Sequence, residues 1–420
     1  MDALTADVLR FIGDPNSQTL GDHSLFARLA AEKPVIRAGG VWIVSRHDLV
    51  GELARHPACV VRMPDAWSGT GELDRSVATF LEGLLPIRPP ADHQRLRRLI
   101  SGQFSARSVA GLRDTVTAIV NELLDEPVRR GGCEFVADVC VPLPVRTTAA
   151  MLGLPDVDRD QVLYWARTVN GQVLDEITSR VGGSTDGAPV PVGAPVQSSL
   201  GEVVGYIEDL VAARTRRPGD DLVSRLAAES TARDGALSHD ELVSMVVMLL
   251  LTGIDTVGSG LANVVTALAG TPDVWDEVVA DPDLAPSVYV EALRLWPALP
   301  MMGRITAADV DLHGTVIPAG DTVLLLYGAA NLDPAVFTDP TRFDIGRNTS
   351  KHMSFGHGVH FCPGASLATL QGGIVLAALA LRAPGFAVTG TPRRRPESAF
   401  HSAAELPLRL DARAAAAVGV

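Results

Sequence analysis

From Pro89 onward, apolar residues return every three to four positions. His93 to Ile100, Val109 to Leu124, Val162 to Val169 and Glu202 to Arg216 each read as a helix with one apolar face. Earlier the pattern differs: Val35-Ile36 and Gly39-Gly40-Val41-Trp42-Ile43-Val44 predict two short β-branched strands joined by a glycine turn, and so a small sheet. Leu242 to Ile254 is a nearly unbroken apolar run that carries Ser244 and Thr252. It is shorter than the roughly 18 residues a membrane span needs, so it predicts a buried core helix. A second helix-rich block runs from Leu222 to Trp296, a turn-rich stretch from Pro297 to Arg347, and a last helix from about Ala365 to Leu381. The expected fold class is mostly α with small β-sheets.

Gly182 to Ser199 holds four glycines and three prolines without a period, which predicts a loop between two helices. Its length and position favour a lid over a linker between domains. The small, featureless residues 414–420 read as a flexible tail. No internal repeat is visible, and residues 1–420 are expected to act as one catalytic unit.

Composition narrows the function classes. With 47% hydrophobic and 20% charged residues the chain can build a large core. A formal net charge of -13 repels phosphate backbones and argues against a nucleic-acid partner. Lys33 and Lys351 are the only lysines, so nearly all positive charge is arginine, the residue suited to gripping carboxylates in a bidentate fork. Cys59, Cys133, Cys140 and Cys362 show no CxxC spacing, and the N-terminal residues lack a basic, apolar signal pattern. A reducing cytoplasm, with no membrane attachment, is expected.

The densest chemistry lies between Lys351 and Gly364, where His352, His357, His360 and Cys362 fall within 11 residues. Zinc would want about four N/S ligands and usually a second ligand pair from elsewhere, which the chain does not supply. Haem iron needs only one cysteine thiolate, with glycines that let the backbone pass close to a flat macrocycle and a helix N-terminus beyond the sulfur. Phe355, Gly356, Gly358, Cys362 and Gly364 meet those needs, and Pro363 suits the first turn of the following helix.

Phe355-Gly-x-Gly-x-His360-x-Cys362-x-Gly364 resembles the cysteine-ligand loop of the cytochrome P-450 family at every fixed position. The resemblance spans about Pro89 to Leu381. It implies a helix-rich triangular prism enclosing haem b, with Cys362 as axial ligand of the iron. Glu291-Ala292-Leu293-Arg294, otherwise an ordinary surface pair on a helix, would by the resemblance be buried and completed by Arg342 of Pro340-Thr341-Arg342-Phe343 as a structural triad. His93, Arg97, Arg304 and His360 match the family's partners of the haem propionates.

Thr252-Gly253-Ile254-Asp255-Thr256-Val257 looks like the family's distal helix segment, in which Asp255 feeds protons and Thr256 meets dioxygen. Without that context, an ion-paired Asp255 and a Thr256 bonded back to the Thr252 carbonyl satisfy the same pattern. Three departures touch local salt links: Arg88 before the paired prolines, Leu332 in Asn-Leu-Asp-Pro, and Thr369 after Leu-Ala. Thr252 replaces a commoner alanine and adds a second hydroxyl on the same helix face.

The resemblance implies a soluble bacterial-type haem-thiolate monooxygenase acting on a small hydrophobic substrate, with secondary-metabolite hydroxylation or epoxidation as its chemistry. No GxGxxG follows a strand, so NAD(P)H would act only indirectly, through a ferredoxin and its reductase. Arg97, Arg98, Arg107, Arg347 and Lys351 are the expected ferredoxin patch. Met248, Thr252, Leu299, Met301, Met302, the loop from Arg62 to Leu85 and the lid are the expected pocket. Oxidative coupling, peroxide-driven oxidation and a non-catalytic haem-thiolate sensor are the alternatives, with a structural zinc protein as a third class.

Overall fold

The computed structural model describes residues 2–13, 23–61, 79–80, 82–155, 159–165, 168–169, 194–231, 237–394 and 400–411. Most of the expected lid, most of the loop from Arg62 to Leu85 and the tail at 414–420 lie outside the described residues.

The glycine hairpin forms as the sequence predicts. β1 (Val35–Ala38) and β2 (Val41–Val44) pair antiparallel across Gly39 and Gly40, whose φ values of 58° and 80° favour glycine. They join a five-stranded sheet with β3 (Cys59–Val60), β4 (Met302–Thr306) and β5 (Thr322–Leu325), in the order β1-β2-β5-β4-β3. β2 and β5 run parallel and the other pairs antiparallel. The turn-rich stretch therefore contributes two strands to the N-terminal sheet, and its Arg304 stands in register with Val323.

Seven helices position the site. α1 (Pro90–Ser101) opens on Pro90, where a missing N–H costs nothing. The expected helix from Val109 is broken at Gly111-Leu112, so that α2 spans Arg113–Arg130. α3 (Pro142–Leu152) follows a π-helical turn at Val136–Cys140 that the apolar pattern does not reveal. α4 (Ala194–Arg216) begins inside the segment expected as loop, so residues 194–199 are helical. The apolar run at 242 is the middle of α5 (His239–Ala269), started by a capping box between Ser238 and Glu241. α6 (Ala285–Leu295) carries the Glu-x-x-Arg pair, and α7 (Ala365–Arg382) follows the cysteine loop.

α5 and α7 are long and apolar enough to cross a membrane by length and composition, yet most of each apolar stretch is buried within the fold. α5 packs on α3, α4 and α6, and α7 packs on α2 and α6. Arg88 does not leave a broken link: it meets Asp92 at 3.3 Å and Glu241 at 3.5 Å, tying the start of α1 to that of α5. Leu332 is fully buried in an apolar cluster with Phe11, Phe26 and Leu295, which removes any need for a cation there. Thr369 is satisfied by the Ala365 carbonyl at 2.9 Å.

Candidate active site

Cys362 lies at the mouth of α7. Its loop is closed by Gly356 N–H to the Met353 carbonyl (2.9 Å), Phe361 N–H to the Gly358 carbonyl (3.1 Å) and Cys362 N–H to the Phe355 carbonyl (2.8 Å). Gly356 and Gly358 take φ values of 76° and 69°, and a Cβ on Gly358 would lie 2.9 Å from the Ala54 carbonyl oxygen. Any other residue at 358 would push the loop off the helix His47–Arg55. Gly364 is the N-cap of α7, so Pro363 precedes the cap rather than occupying the first turn. Burial pushes the Cys362 thiol up, while the Gly364 N–H, the Arg97 guanidinium and the Ala365 N–H act in the opposite direction.

Four cationic or imidazole side chains gather beside this loop. Arg97 donates to the Phe361 carbonyl, and the His93 and His360 rings meet edge to face with centroids 4.8 Å apart. Burial, reinforced by Arg304, His93 and Arg97, pushes His360 down to about 4, and burial with Arg97 lowers His93. Arg304 is 3% exposed and its Nε is buried without a partner. Among the described ion pairs none of the four meets a carboxylate. A buried guanidinium lacking an anion is costly, so the cluster suits a ligand that brings its own carboxylates. Haem fits on these observations: Cys362 for the iron, the glycine loop for close approach, and His93, Arg97, Arg304 and His360 for the propionates. The zinc alternative finds no support, because no three His, Cys, Asp or Glu side chains converge among the described residues. His357 is instead taken up by Arg55.

The buried ion pair beneath the loop differs from the sequence expectation. Arg294 grips Glu291 through two bonds, 2.7 and 2.8 Å, with both side chains fully buried. Its remaining N–H groups reach the carbonyls of Asn331, Pro340 and Arg342. The second cation on Glu291 is Arg347, at 3.0 Å, and not Arg342, whose side chain is exposed. The turn at residues 338–347 carries Arg342 outward while Phe343 packs on Trp296, and only the Arg342 carbonyl serves the cluster. Asn331 continues the network to the ligand loop, donating to Ser354 Oγ and accepting from the Met353 N–H.

On α5, Met248, Thr252 and Thr256 recur every four residues on one face. Thr252 is exposed and Thr256 half-buried, although most of the helix around them is buried. Both hydroxyls donate backward, Thr252 to the Met248 carbonyl at 2.8 Å and Thr256 to the Thr252 carbonyl at 3.1 Å. The back-bonded alternative for Thr256 is therefore present, and the lone pairs of its oxygen remain to accept. Asp255 is buried beside a cavity of about 10 Å³, room for roughly one water, which Ser259 and Ser402 also line. Leu299, Met301 and Met302 are half-buried on the approach to Arg304.

His352 supplies a pH test. Burial, with Arg294 adding, pushes it down to about 4 from 6.5. Between those values the unfolded chain binds a proton that the folded one refuses, so stability falls as pH drops from about 6.5 to 4 and levels off below. The loss is at most about 3 kcal/mol. Urea midpoints measured across this range should fall less steeply in His352→Gln than in the parent protein; identical slopes would contradict the assignment.

A mostly helical chain with one cysteine at a helix mouth, beside two imidazoles and two arginines that meet no carboxylate among the described ion pairs, fits a haem-thiolate protein. A family model for cytochrome P-450 matches residues 202–398. Cyclomarin C epoxidase CymV of Salinispora arenicola is 35% identical over 357 residues, covering 84% of this chain and 86% of that one. The monooxygenase PikC of Streptomyces venezuelae is 33% identical over 380 residues, 88% and 86% of the two chains. The crystal structure of CalO2 superposes with a TM-score of 0.82 at 29% identity, covering 98% of each chain. The chain belongs to the cytochrome P-450 family and is a monooxygenase of that family.

Proposed function

We propose that the whole chain forms one cytoplasmic, haem b-dependent enzyme of secondary metabolism. It would insert one oxygen atom from dioxygen into a C–H or C=C bond of a hydrophobic scaffold, with electrons from a separate ferredoxin and reductase. The observation that carries this reading is the pairing of the Cys362 loop with the Asp255-Thr256 step on the long core helix. Bound haem supplies dioxygen activation and electron storage, which no protein side chain provides. Cys362 would donate thiolate charge, and His93, Arg97, Arg304 and His360 would hold the carboxylates. Thr256 Oγ1 would accept or pass a proton on the pocket face, and Asp255 would exchange protons with water. Met248, Thr252, Leu299, Met301 and Met302 would line the pocket. The epoxidase name of the first relative and the monooxygenase name of PikC favour oxygen insertion, epoxidation included, on such scaffolds. Screening such scaffolds under ¹⁸O₂ tests the reading: incorporation of one labelled atom supports it, and turnover without label favours coupling instead.

Thr256→Ala is expected to keep reductant consumption while product per electron pair falls at least roughly tenfold, since a lost general acid usually costs about 100-fold or more. Unchanged coupling would remove Thr256 from the proton path.

The electron-entry surface is narrower than the sequence suggests. Arg347 is bound to buried Glu291 and Arg97 turns to the ligand loop, which leaves Arg98, Arg107 and Lys351 exposed. Val359 and Phe361 are also exposed there, at 62% and 43%. Reversing charge at Arg98 and Arg107 together should slow reduction by a ferredoxin about tenfold at low salt and less at high salt. Stopped-flow rates that do not change with either charge or salt would rule out this patch.

A further inference from the structure

Beside the Thr252–Thr256 face, α5 carries a buried polar row in which Asp255, Ser259 and Asn263 recur every four residues. Two of them are tied to the segment just before the strand Ala403–Glu405. Asn263 donates to the His401 carbonyl at 2.7 Å, and Ser402 Oγ donates to Ser259 Oγ at 3.0 Å. Asp255, Ser259 and Ser402 line the cavity of about 10 Å³, whose other walls include Val136 and Cys140 of the π-helical turn. That turn comes close because residue 258 is glycine: a Cβ there would lie 2.8 Å from the Cys140 carbonyl oxygen. Val141 and Ala403 also line the cavity and are only half-buried, so it lies near solvent on that side.

We propose that this cavity holds one ordered water between the Asp255 carboxylate and the Ser259 hydroxyl, and that Ser259 and Ser402 are positioning residues for proton supply to Asp255. The inference rests on the haem-thiolate reading and the proton role given to Asp255 above, and names the source of that proton. A space of this size takes a water when two or more polar groups line it, whereas an apolar one stays dry. Three polar side chains line this one. Ser402 gives its proton to Ser259, and among the described residues Ser259 donates to no protein acceptor, which leaves its own proton for the water. A buried hydroxyl proton without an acceptor is costly, and the water removes that cost. The water in turn donates to the carboxylate. When Asp255 passes a proton toward Thr256, the water's proton replaces it, and exchange with solvent past Val141 and Ala403 restores the water. Asn263 clamps residue 401 to α5, which keeps the neighbouring Ser402 hydroxyl on Ser259.

A high-resolution crystal structure of the haem-loaded enzyme reads the water directly. It should lie within hydrogen-bond distance of both Asp255 and Ser259, and be lost in Ser259→Val, whose methyl groups replace the hydroxyl and occupy the space. The supply role is read from NADPH oxidation under dioxygen with a surrogate ferredoxin and reductase, without added substrate, in H2O and in D2O. Ser259→Ala takes one hydrogen bond from the water and should slow oxidation roughly tenfold. The ratio of rates in H2O and D2O should rise above the parent's, and Ser402→Ala should move both readouts the same way by less. In an Asp255→Asn background Ser259→Ala should add little, since the serine acts through Asp255. Slowing at the parent's isotope ratio would mark a merely loosened fold and overturn the inference. An empty cavity in the parent, an unchanged rate in Ser259→Ala, or an equal loss with Asp255 replaced would overturn it too. If the parent protein lacks thiolate-bound haem, the underlying reading fails; if it has such haem and the cavity is empty, only the water site fails.

Discussion

Glu291→Gln should lower the unfolding free energy by about 3 to 5 kcal/mol, the usual cost of leaving a buried charge without its partner. Two guanidiniums converge on that carboxylate, Arg294 through a two-point bond and Arg347 through one, and neither has another acid within the cluster. The damage should spread. Arg294 also holds the Asn331 and Pro340 carbonyls, and Asn331 holds Ser354 and the Met353 N–H just before the ligand loop. Purified Glu291→Gln should therefore be scarce and poor in haem, with a thermal midpoint several degrees lower. Arg347→Met should behave similarly, because its guanidinium also binds the Thr338 and Asp339 carbonyls. Arg342→Ala should change stability by less than about 0.5 kcal/mol, as an exposed side chain offering only its backbone to the cluster. Equal damage from Arg342→Ala and Arg347→Met would contradict this account.

That contrast shows where local sequence stops informing. Glu291 and Arg294 are three residues apart on one helix, so their pairing is legible in the chain. The choice between Arg342 and Arg347 depends on the path of an irregular turn 50 residues away, and no local period encodes it. The cysteine loop was readable for the opposite reason. Its glycines answer to backbone conformations, with φ at 76° and 69°, and such demands are written residue by residue. The hairpin at Gly39-Gly40 follows the same rule. The strands Gly385–Val388 and Pro407–Asp411 were also missed; Pro407–Asp411 lies between the other two strands of its sheet, pairing with Gly385–Val388 on one side and with the distant Gly132–Glu134 on the other.

The second large effect belongs to Cys362. Cys362→Ser should leave the fold intact, because the loop is closed by backbone bonds and serine occupies less volume. Product formation should nonetheless fall to background. A serine hydroxyl cannot match the charge donation of a thiolate, and the N–H groups of Gly364 and Ala365 are arranged for a sulfur. Folding is checked by circular dichroism and activity by product yield under a surrogate ferredoxin system. Undiminished product in Cys362→Ser would remove the cysteine from the chemistry, whereas the buried Cys59, Cys133 and Cys140 should tolerate alanine without loss of haem.

The measurement that bears most directly on the account is the absorption spectrum of the unaltered protein, reduced and exposed to carbon monoxide. The account predicts a Soret band at the strongly red-shifted position of thiolate ligation, lost in Cys362→Ser. A colourless protein, or a band at the imidazole position that persists in Cys362→Ser, would contradict it and make His352, His357 and His360 the groups to test.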